Sequence, residues 1–218
     1  IIDVGVSGSS NSPGDPADIE VSLDIVVAGG VAPKATIAMY FGPNSDQGFV
    51  DVFNAAIHDT VNNPSVISVS WCTFEPFMSD SYTAVFEDAL HSAIVKGITI
   101  CVASGDWGST LLRGLGMGNY AFLPTMAYPS SSQYVLSCGG TSLELNSNNS
   151  IKSEYIWNES AIGHGAAGGG VSTKFPVPSY QTGLTYTDYQ GNTNSLTMRG
   201  VPDIAAVSYT HLTLPTIY

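Results

Sequence analysis

The sequence predicts an α/β protein in which helices cover both faces of a mostly parallel sheet. Two observations carry this prediction. Strand-like and helical segments alternate up to Ala103, an order that implies right-handed crossovers between parallel strands. Apolar residues make up 44% of the 218 residues and charged residues only 11%, which is enough for a substantial core. We expect one domain.

The first predicted element is a helix that starts at Asp15 and Pro16, a favourable N-cap followed by a first-turn proline. Its apolar residues follow helical spacing and two glycines are expected to close it: Ile19, Leu23, Val26 and Val27, then Gly29 and Gly30. A helix that is apolar nearly all round is usually buried, so we expect this helix to be buried.

The remaining elements follow in chain order. They are a strand at Thr36–Phe41, a helix at Gln47–Asp59, a strand at Val66–Ser70, a helix at about Ser81–Lys96, and strands at Ile98–Ala103 and Tyr134–Ser137. A polar turn is expected at Asn146–Ser150, and the rest is expected to be irregular. Chemistry in such sheets gathers at the carboxyl ends of the strands. Ser70-Trp71-Cys72 and Ser104-Gly105-Asp106 fall at such ends.

Glu20 and Asp24 form the most informative pair in the sequence. Residues four apart share a helix face, and the apolar flanks indicate that both acids are withheld from bulk water. Two carboxylates about 4 Å apart repel by roughly 4 kcal/mol at an effective dielectric of about 20, so they would hold one proton jointly. The alternative is a solvated pair, since the chain has 18 acidic residues.

The charge balance restricts the possible partners. With 18 acids and six bases the net charge is -12, and the pI is about 4.3, which argues against nucleic acid or an anionic membrane and disfavours acidic substrates. The composition fits an acidic environment.

No apolar window is long enough for a membrane span. The chain begins Ile1-Ile2-Asp3 without Met or a signal peptide, so we expect an excerpt or a processed product.

Three cysteines, Cys72, Cys101 and Cys138, lie at or beside apolar runs, where we expect small buried side chains. Their odd number weakens any disulfide framework. A thiol nucleophile at Cys72, beside His58 or His91, is an alternative that lacks an orienting third partner.

Asp106 stands in the small-residue turn Ser104–Ser109 after a predicted strand, where it could cap the loop or act as a functional acid. Other motifs accompany it in a fixed order. They are Glu20-x-x-x-Asp24, Tyr40-Phe41-x-Pro43-Asn44, Ile67-Ser68-Val69-Ser70-Trp71, Ala103-Ser104-Gly105-Asp106, Tyr128-Pro129, Cys138-Gly139-Gly140-Thr141, Gly168-Gly169-Gly170-Val171-Ser172, Phe175-Pro176 and Arg199-Gly200-Val201-Pro202-Asp203. In this order, over nearly the whole chain, the sequence resembles the sedolisin family of serine-carboxyl peptidases, and within it the kumamolisin-like members.

This resemblance implies a subtilisin-like, three-layer αβα fold and a secreted, acid-acting endopeptidase. Glu20 would be the general base, Asp24 would orient it and share its proton, and Asp106 would be a protonated donor to the oxyanion. By the same resemblance Ser70, Trp71, Ser104 and Gly105 would bind the substrate backbone. A carboxylate base in place of histidine implies activity in acid.

The chain departs from the family pattern at two places. Cys72 stands where Ser-Trp-Gly is common, and it could narrow the cleft. The nucleophilic serine and the calcium site of the family belong to a later segment, so we expect both to lie outside this chain. Ser142 only mimics the serine motif. We therefore expect a fragment that is inactive by itself and contains no cofactor.

The resemblance also implies partners: a peptide or protein substrate and an N-terminal propeptide of the same precursor, with the enzyme a monomer. The apolar segment 111–127 could favour apolar substrate side chains.

The last residues resemble a translated transposon-end adaptor, so we divide the chain into a partial peptidase domain, 1–206, and a non-native tail, 207–218. A divergent natural terminus is the alternative.

Two other functional classes stay open. A homologue that has lost catalysis could keep the fold as a peptide-binding surface. A conventional subtilisin-type protease is disfavoured because no histidine stands in a matching motif. The sequence also lacks a His-Glu-x-x-His helix and a Gly-x-x-x-x-Gly-Lys loop.

Overall fold

The computed structural model describes residues 1–10, 12–110, 125–188 and 190–207. Most of the apolar segment 111–127 and nearly all of the predicted tail therefore lie outside the described residues. The chain forms two compact units, the first made of Ile1–Ser70 and Met78–Cys101 and the second of Trp71–Phe77 and the residues from Val102 on. The single domain over 1–206 stays a prediction.

Three helices and thirteen strands are described. In chain order they are β1 (Ile2–Gly5), α1 (Ala17–Val31), β2 (Ala38–Phe41), α2 (Asp46–His58), β3 (Val66–Val69), β4 (Thr73–Phe74), α3 (Asp80–Val95), β5 (Thr99–Ala103), β6 (Ala127–Tyr128), β7 (Leu136–Leu145), β8 (Ile151–Ile156), β9 (Gly170–Pro176), β10 (Thr185–Thr187), β11 (Thr193–Ser195), β12 (Met198–Val201) and β13 (Ile204–Val207). This alternation confirms the predicted α/β class with a mostly parallel central sheet.

The first unit is built from crossover connections. Strands β1 and β2 pair in parallel, with α1 as the connection between them. Helices α2 and α3 pack on each other through Phe53 and Phe86, whose ring centroids lie 4.7 Å apart in an edge-to-face contact. Both helices start at serine N-caps, Ser45 and Ser79, each of which accepts a bond from a first-turn backbone N–H. Such local signals explain why both helices begin within a residue of the prediction.

The second unit is centred on β7. This strand pairs in parallel with β13 and antiparallel with β8, and β5 is its other neighbour. The turn between β7 and β8 is the predicted polar turn, which closes with a bond from Asn146 N to Ser150 O at 2.8 Å. Strands β9 and β12 form a separate antiparallel pair.

The prediction of irregular structure after Ser137 is wrong. Strand β7 runs eight residues beyond Ser137, and β8, β9, β12 and β13 follow it. The glycine pair Gly139-Gly140 indicates a strand end by propensity, but here it lies inside β7. A Cβ at Gly139 would stand 2.7 Å from the Pro202 ring, so the glycine allows a close approach of two chain segments.

Helix α1 is not buried, contrary to the prediction. None of its residues is buried, and Ile19 and Val31 are 76% and 84% exposed. An apolar helix is buried only where other elements pack on its sides, and among the described residues no element encloses α1. Its start also differs, because Pro16 is the N-cap while Asp15 accepts a bond from Ala17 N at 2.9 Å. None of the helices in the described residues is long and apolar enough to cross a membrane.

Candidate active site

In the first unit, Glu20 and Asp24 project from the same face of α1, one helical turn apart. Both are half-buried rather than withheld from water, so the predicted degree of burial is wrong. The reason is that α1 itself is uncovered. Asp24 is anchored by the chain segment after β3, because the Ser70 hydroxyl donates a hydrogen bond of 2.7 Å to Asp24 Oδ1.

This bond defines what Ser70 can offer to a ligand. A serine hydroxyl has one proton to donate, and in this structure Asp24 receives it. Toward any further partner the Ser70 oxygen can only accept. Ser70 thus connects the carboxylate helix to the carboxyl end of a strand.

In the second unit, the loop after β5 presents Asp106. Ser104 starts this loop with a buried side chain, whose hydroxyl donates to the Gly168 carbonyl oxygen at 2.8 Å. Ser104 N donates to Cys138 O of β7, also at 2.8 Å. Because the Ser104 side chain is enclosed, a substrate could meet Ser104 only through its backbone. Gly105 has a φ of +106°, in the left-handed region that favours glycine.

The Asp106 carboxyl is electrostatically distinct although the residue is exposed. Burial by the surrounding protein raises the pKa of this carboxyl above its ordinary value. A raised pKa extends the pH range in which the group is protonated and can donate a hydrogen bond. Among the described residues, the Asp106 backbone carbonyl also holds the loop, because it accepts a hydrogen bond from Ala166 N at 2.7 Å.

Cys72 lies close enough to Asp106 to be affected by its charge. Burial, and then the negative charge of Asp106, raise the pKa of the Cys72 thiol to about 11. The thiol therefore stays protonated in acid and at neutral pH, which argues against a thiolate nucleophile. The residue as a whole is exposed although the surrounding protein shields its thiol, so the predicted place among core side chains is wrong. It belongs to the short segment between β3 and β4 rather than to a core strand.

Two tryptophans accompany these groups in the second unit. Trp71 precedes Cys72 and Trp107 follows Asp106, and each is 43% exposed. Exposed indole rings offer apolar surface for a ligand. The sequence predicts a substrate-binding role for Trp71 and none for Trp107, although the position of Trp107 directly after the acid was a usable signal.

The sequence also gave no indication of a buried acid at Glu75. Its carboxylate accepts hydrogen bonds from the Ser172 hydroxyl at 2.5 Å and from Thr173 N at 2.9 Å. These bonds tie the turn after β4 to β9, so Glu75 has a structural role.

Among the residues that the structure describes, no group of His, Cys, Asp and Glu is arranged to hold a metal ion.

The first unit thus presents a carboxylate pair on one helix, and the second unit presents an aspartate of raised pKa. No protein-family model matches the chain. The chain is 41% identical over 208 residues to kumamolisin of Bacillus sp. (strain MN-32), an alignment that covers 94% of this chain and 36% of kumamolisin. It is 28% identical over 195 residues to sedolisin of Pseudomonas sp. (strain 101), covering 85% of this chain and 33% of sedolisin.

The solved structure of Pseudomonas sedolisin, a serine-carboxyl proteinase complexed with two molecules of pseudo-iodotyrostatin, matches the chain with a TM-score of 0.74 at 25% identity. The match covers 94% of this chain and 56% of that one. The chain belongs to the sedolisin family, and its fold is the predicted three-layer α/β type. It spans about a third of the length of the curated relatives it matches.

Proposed function

We propose that the complete protein containing this chain is a secreted, acid-acting serine-carboxyl endopeptidase that cleaves peptide bonds through an acyl-enzyme intermediate. The observation that carries the proposal is the Asp106 carboxyl, whose pKa is raised by burial, presented by a glycine turn in a sedolisin-family chain. A protonated carboxyl can donate to the oxyanion of a tetrahedral intermediate, and one such donor is typically worth about 3 to 4 kcal/mol.

In this mechanism Glu20 takes the proton from the attacking serine, and Asp24 orients Glu20 and shares its proton. The bond from Ser70 to Asp24 supports the orienting role, because it restricts the rotation of the Asp24 side chain. We place the attacking serine outside this chain. Ser142 is a poor candidate because it lies inside β7, opposite Tyr155 of β8. By itself the 218-residue chain should therefore be inactive.

The pH dependence follows from opposite requirements on two acids. Glu20 must be deprotonated to accept a proton, so activity falls at low pH. Asp106 must be protonated to donate, so activity falls as the pH rises through its pKa, and burial moves that limit upward. The working range is therefore acidic.

The substrate would be a peptide or protein chain, and Ser70, Trp71, Ser104 and Gly105 are the residues proposed to bind it. A cysteine at position 72 would leave less room for that chain than a glycine. An N-terminal propeptide, secretion, a monomeric state and a calcium ion bound by residues outside this chain complete the proposal. No described residue is assigned to calcium.

The test is the substitution Glu20→Gln in the protein that the parent gene encodes. We expect peptidase activity at pH 4 to be lost while circular dichroism and the melting temperature stay close to those of the unchanged protein. Asp88→Asn is the matched control, since Asp88 is an exposed acid on α3. Near-normal turnover in Glu20→Gln would refute the assigned base. If the unchanged gene product binds peptides without cleaving them, the non-catalytic homologue is the better description.

A further inference from the structure

The glycine-rich segment 165–168 lies directly against the loop that presents Asp106. Three backbone hydrogen bonds and one side-chain bond join them. These are Ala166 N to Asp106 O at 2.7 Å, Gly108 N to Ala166 O at 3.0 Å, Gly168 N to Gly105 O at 2.6 Å, and Ser104 Oγ to Gly168 O at 2.8 Å. Every residue from Ser104 to Gly108 except Trp107 is therefore bonded to this segment through its backbone or side chain.

The contact is so close that a side chain cannot enter it. A Cβ at Gly168 would overlap the carbonyl oxygen of Ser104 and lie 2.5 Å from its carbonyl carbon. A Cβ at Gly165 would lie 2.5 Å from the carbonyl oxygen of Asp106 itself. The atoms in the way are backbone, so they cannot be relieved by a rotamer change. Any larger residue must displace the loop that carries Asp106.

The far side of the glycine segment is anchored too. Ala167 N donates to Trp157 O at 2.9 Å, and Glu159 N donates to Gly165 O at 2.8 Å. Trp157 is buried, and its backbone N donates to Gly140 O of β7 at 3.1 Å. The segment is thus held between the Asp106 loop and the sheet, and a displacement at Gly168 would pass to the loop rather than away from it.

We infer that Gly168, with the hydroxyl of Ser104, is a positioning residue that fixes the Asp106 carboxyl through the backbone of the 104–108 loop. This inference rests on the proposed function for its effect on catalysis, but its effect on Asp106 does not depend on that function. A misplacement of about 1 Å in a catalytic group can cost about 10²-fold in rate. Ordinary core packing would not single out the Asp106 loop in this way.

The experiment compares Gly168→Ala with the unchanged gene product by two measurements. The first is the titration of the Asp106 carboxyl by ¹³C NMR. We expect its pKa to fall toward the ordinary value, because a displaced loop exposes the carboxyl to water. The second is peptidase kinetics, where we expect kcat to fall about 10²-fold with a much smaller change in KM. Gly30→Ala is the control, since a Cβ at Gly30 meets nothing within 4 Å.

A second pair of variants keeps the test decisive if Gly168→Ala does not fold. Ser104→Ala removes the bond to Gly168 O without adding bulk, and Ser104→Thr retains a hydroxyl. We expect the Asp106 titration to shift in the alanine variant and to be restored by threonine. An unchanged Asp106 titration in a folded Gly168→Ala or Ser104→Ala variant overturns the inference. If the titration shifts but the unchanged protein has no peptidase activity, the positioning role stands and the proposed function fails.

Discussion

Asp106 is the residue at which stability and the proposed chemistry make the same demand on pH, because both favour the protonated carboxyl. Burial raises the pKa of its carboxyl in the folded chain, whereas in the unfolded chain the group has its ordinary value. Its contribution to stability is therefore fully present below the unfolded pKa and is lost as the pH rises through the folded pKa. At neutral pH the folded state carries a charge that its surroundings disfavour.

Asp106→Asn should therefore raise the melting temperature relative to the unchanged protein at pH 7 and change it little at pH 3. The reason is that the amide never ionises, so it avoids the cost of a partly enclosed charge. Thermal unfolding followed by circular dichroism at both pH values measures the difference.

Asp59 is the control for this prediction, because its shift has the opposite sign. Backbone and side-chain hydrogen bonds from Asn62, with bonds from Tyr40 and Val61, lower the pKa of Asp59 to about 2. Asp59→Asn should lower the melting temperature at pH 7, and that loss should disappear as the pH falls through about 2. The interpretation of Asp106 fails if its asparagine variant is destabilised at pH 7 as the Asp59 variant is.

Single residues of the candidate site could be proposed from the sequence because their motifs are local. Glu20 and Asp24 share one helical turn, and Asp106 follows a strand directly. Their supporting bonds could not be predicted, since Ser70 reaches across 46 positions to Asp24 and Ser104 across 64 positions to Gly168. Such partners depend on how distant segments meet, which no local pattern encodes.

Among the elements, helices α2 and α3 were predictable to within one or two residues because caps and periodicity mark their ends. The strands after Ser137 were not predictable from such local signals. Gly139 and Gly140 weaken strand propensity, and Gly139 lies in β7 where Pro202, more than 60 positions away, approaches too closely for a side chain. Tertiary packing overrides local propensity at such positions.

The connection between β12 and β13 depends on a buried ion pair. The Arg199 side chain is fully buried and donates to both carboxylate oxygens of Asp203, whose side chain is 14% exposed. Asp203 also accepts bonds from Gln181 Nε2 and from Ser137 N of β7. The pair thus links the end of β12 to the sheet beside β13.

Removing one partner of a buried pair leaves the other charge uncompensated, which typically costs about 3 to 5 kcal/mol. We expect a loss of this size in the free energy of unfolding for Arg199→Met, measured by urea denaturation. Lys152→Met is the control, because Lys152 pairs with Glu144 on the surface, where ion pairs contribute little. Equal losses in the two variants would contradict a special role for the buried pair.

For the whole molecule, the net charge of -12 and the pI of about 4.3 follow from composition alone. The uncovered apolar stripe on α1 does not follow from composition, because the sequence predicted that this helix would be enclosed. Ile19, Leu23, Val26, Val27 and Val31 are all exposed, and their helical spacing puts them on one side. Contiguous apolar surface of this kind promotes association once charge repulsion is weak.

We therefore expect the 218-residue chain to associate most strongly near pH 4.3, where its net charge vanishes, and to stay dispersed at pH 7. Light scattering across this pH range measures the effect. The double variant Val26→Lys with Val31→Lys should suppress association, because it places two charges on the stripe. The double variant Ala84→Lys with Ser147→Lys adds the same charge at exposed sites on α3 and in the β7–β8 turn. Equal scattering from the two double variants would mean that net charge alone, and not the α1 stripe, controls association.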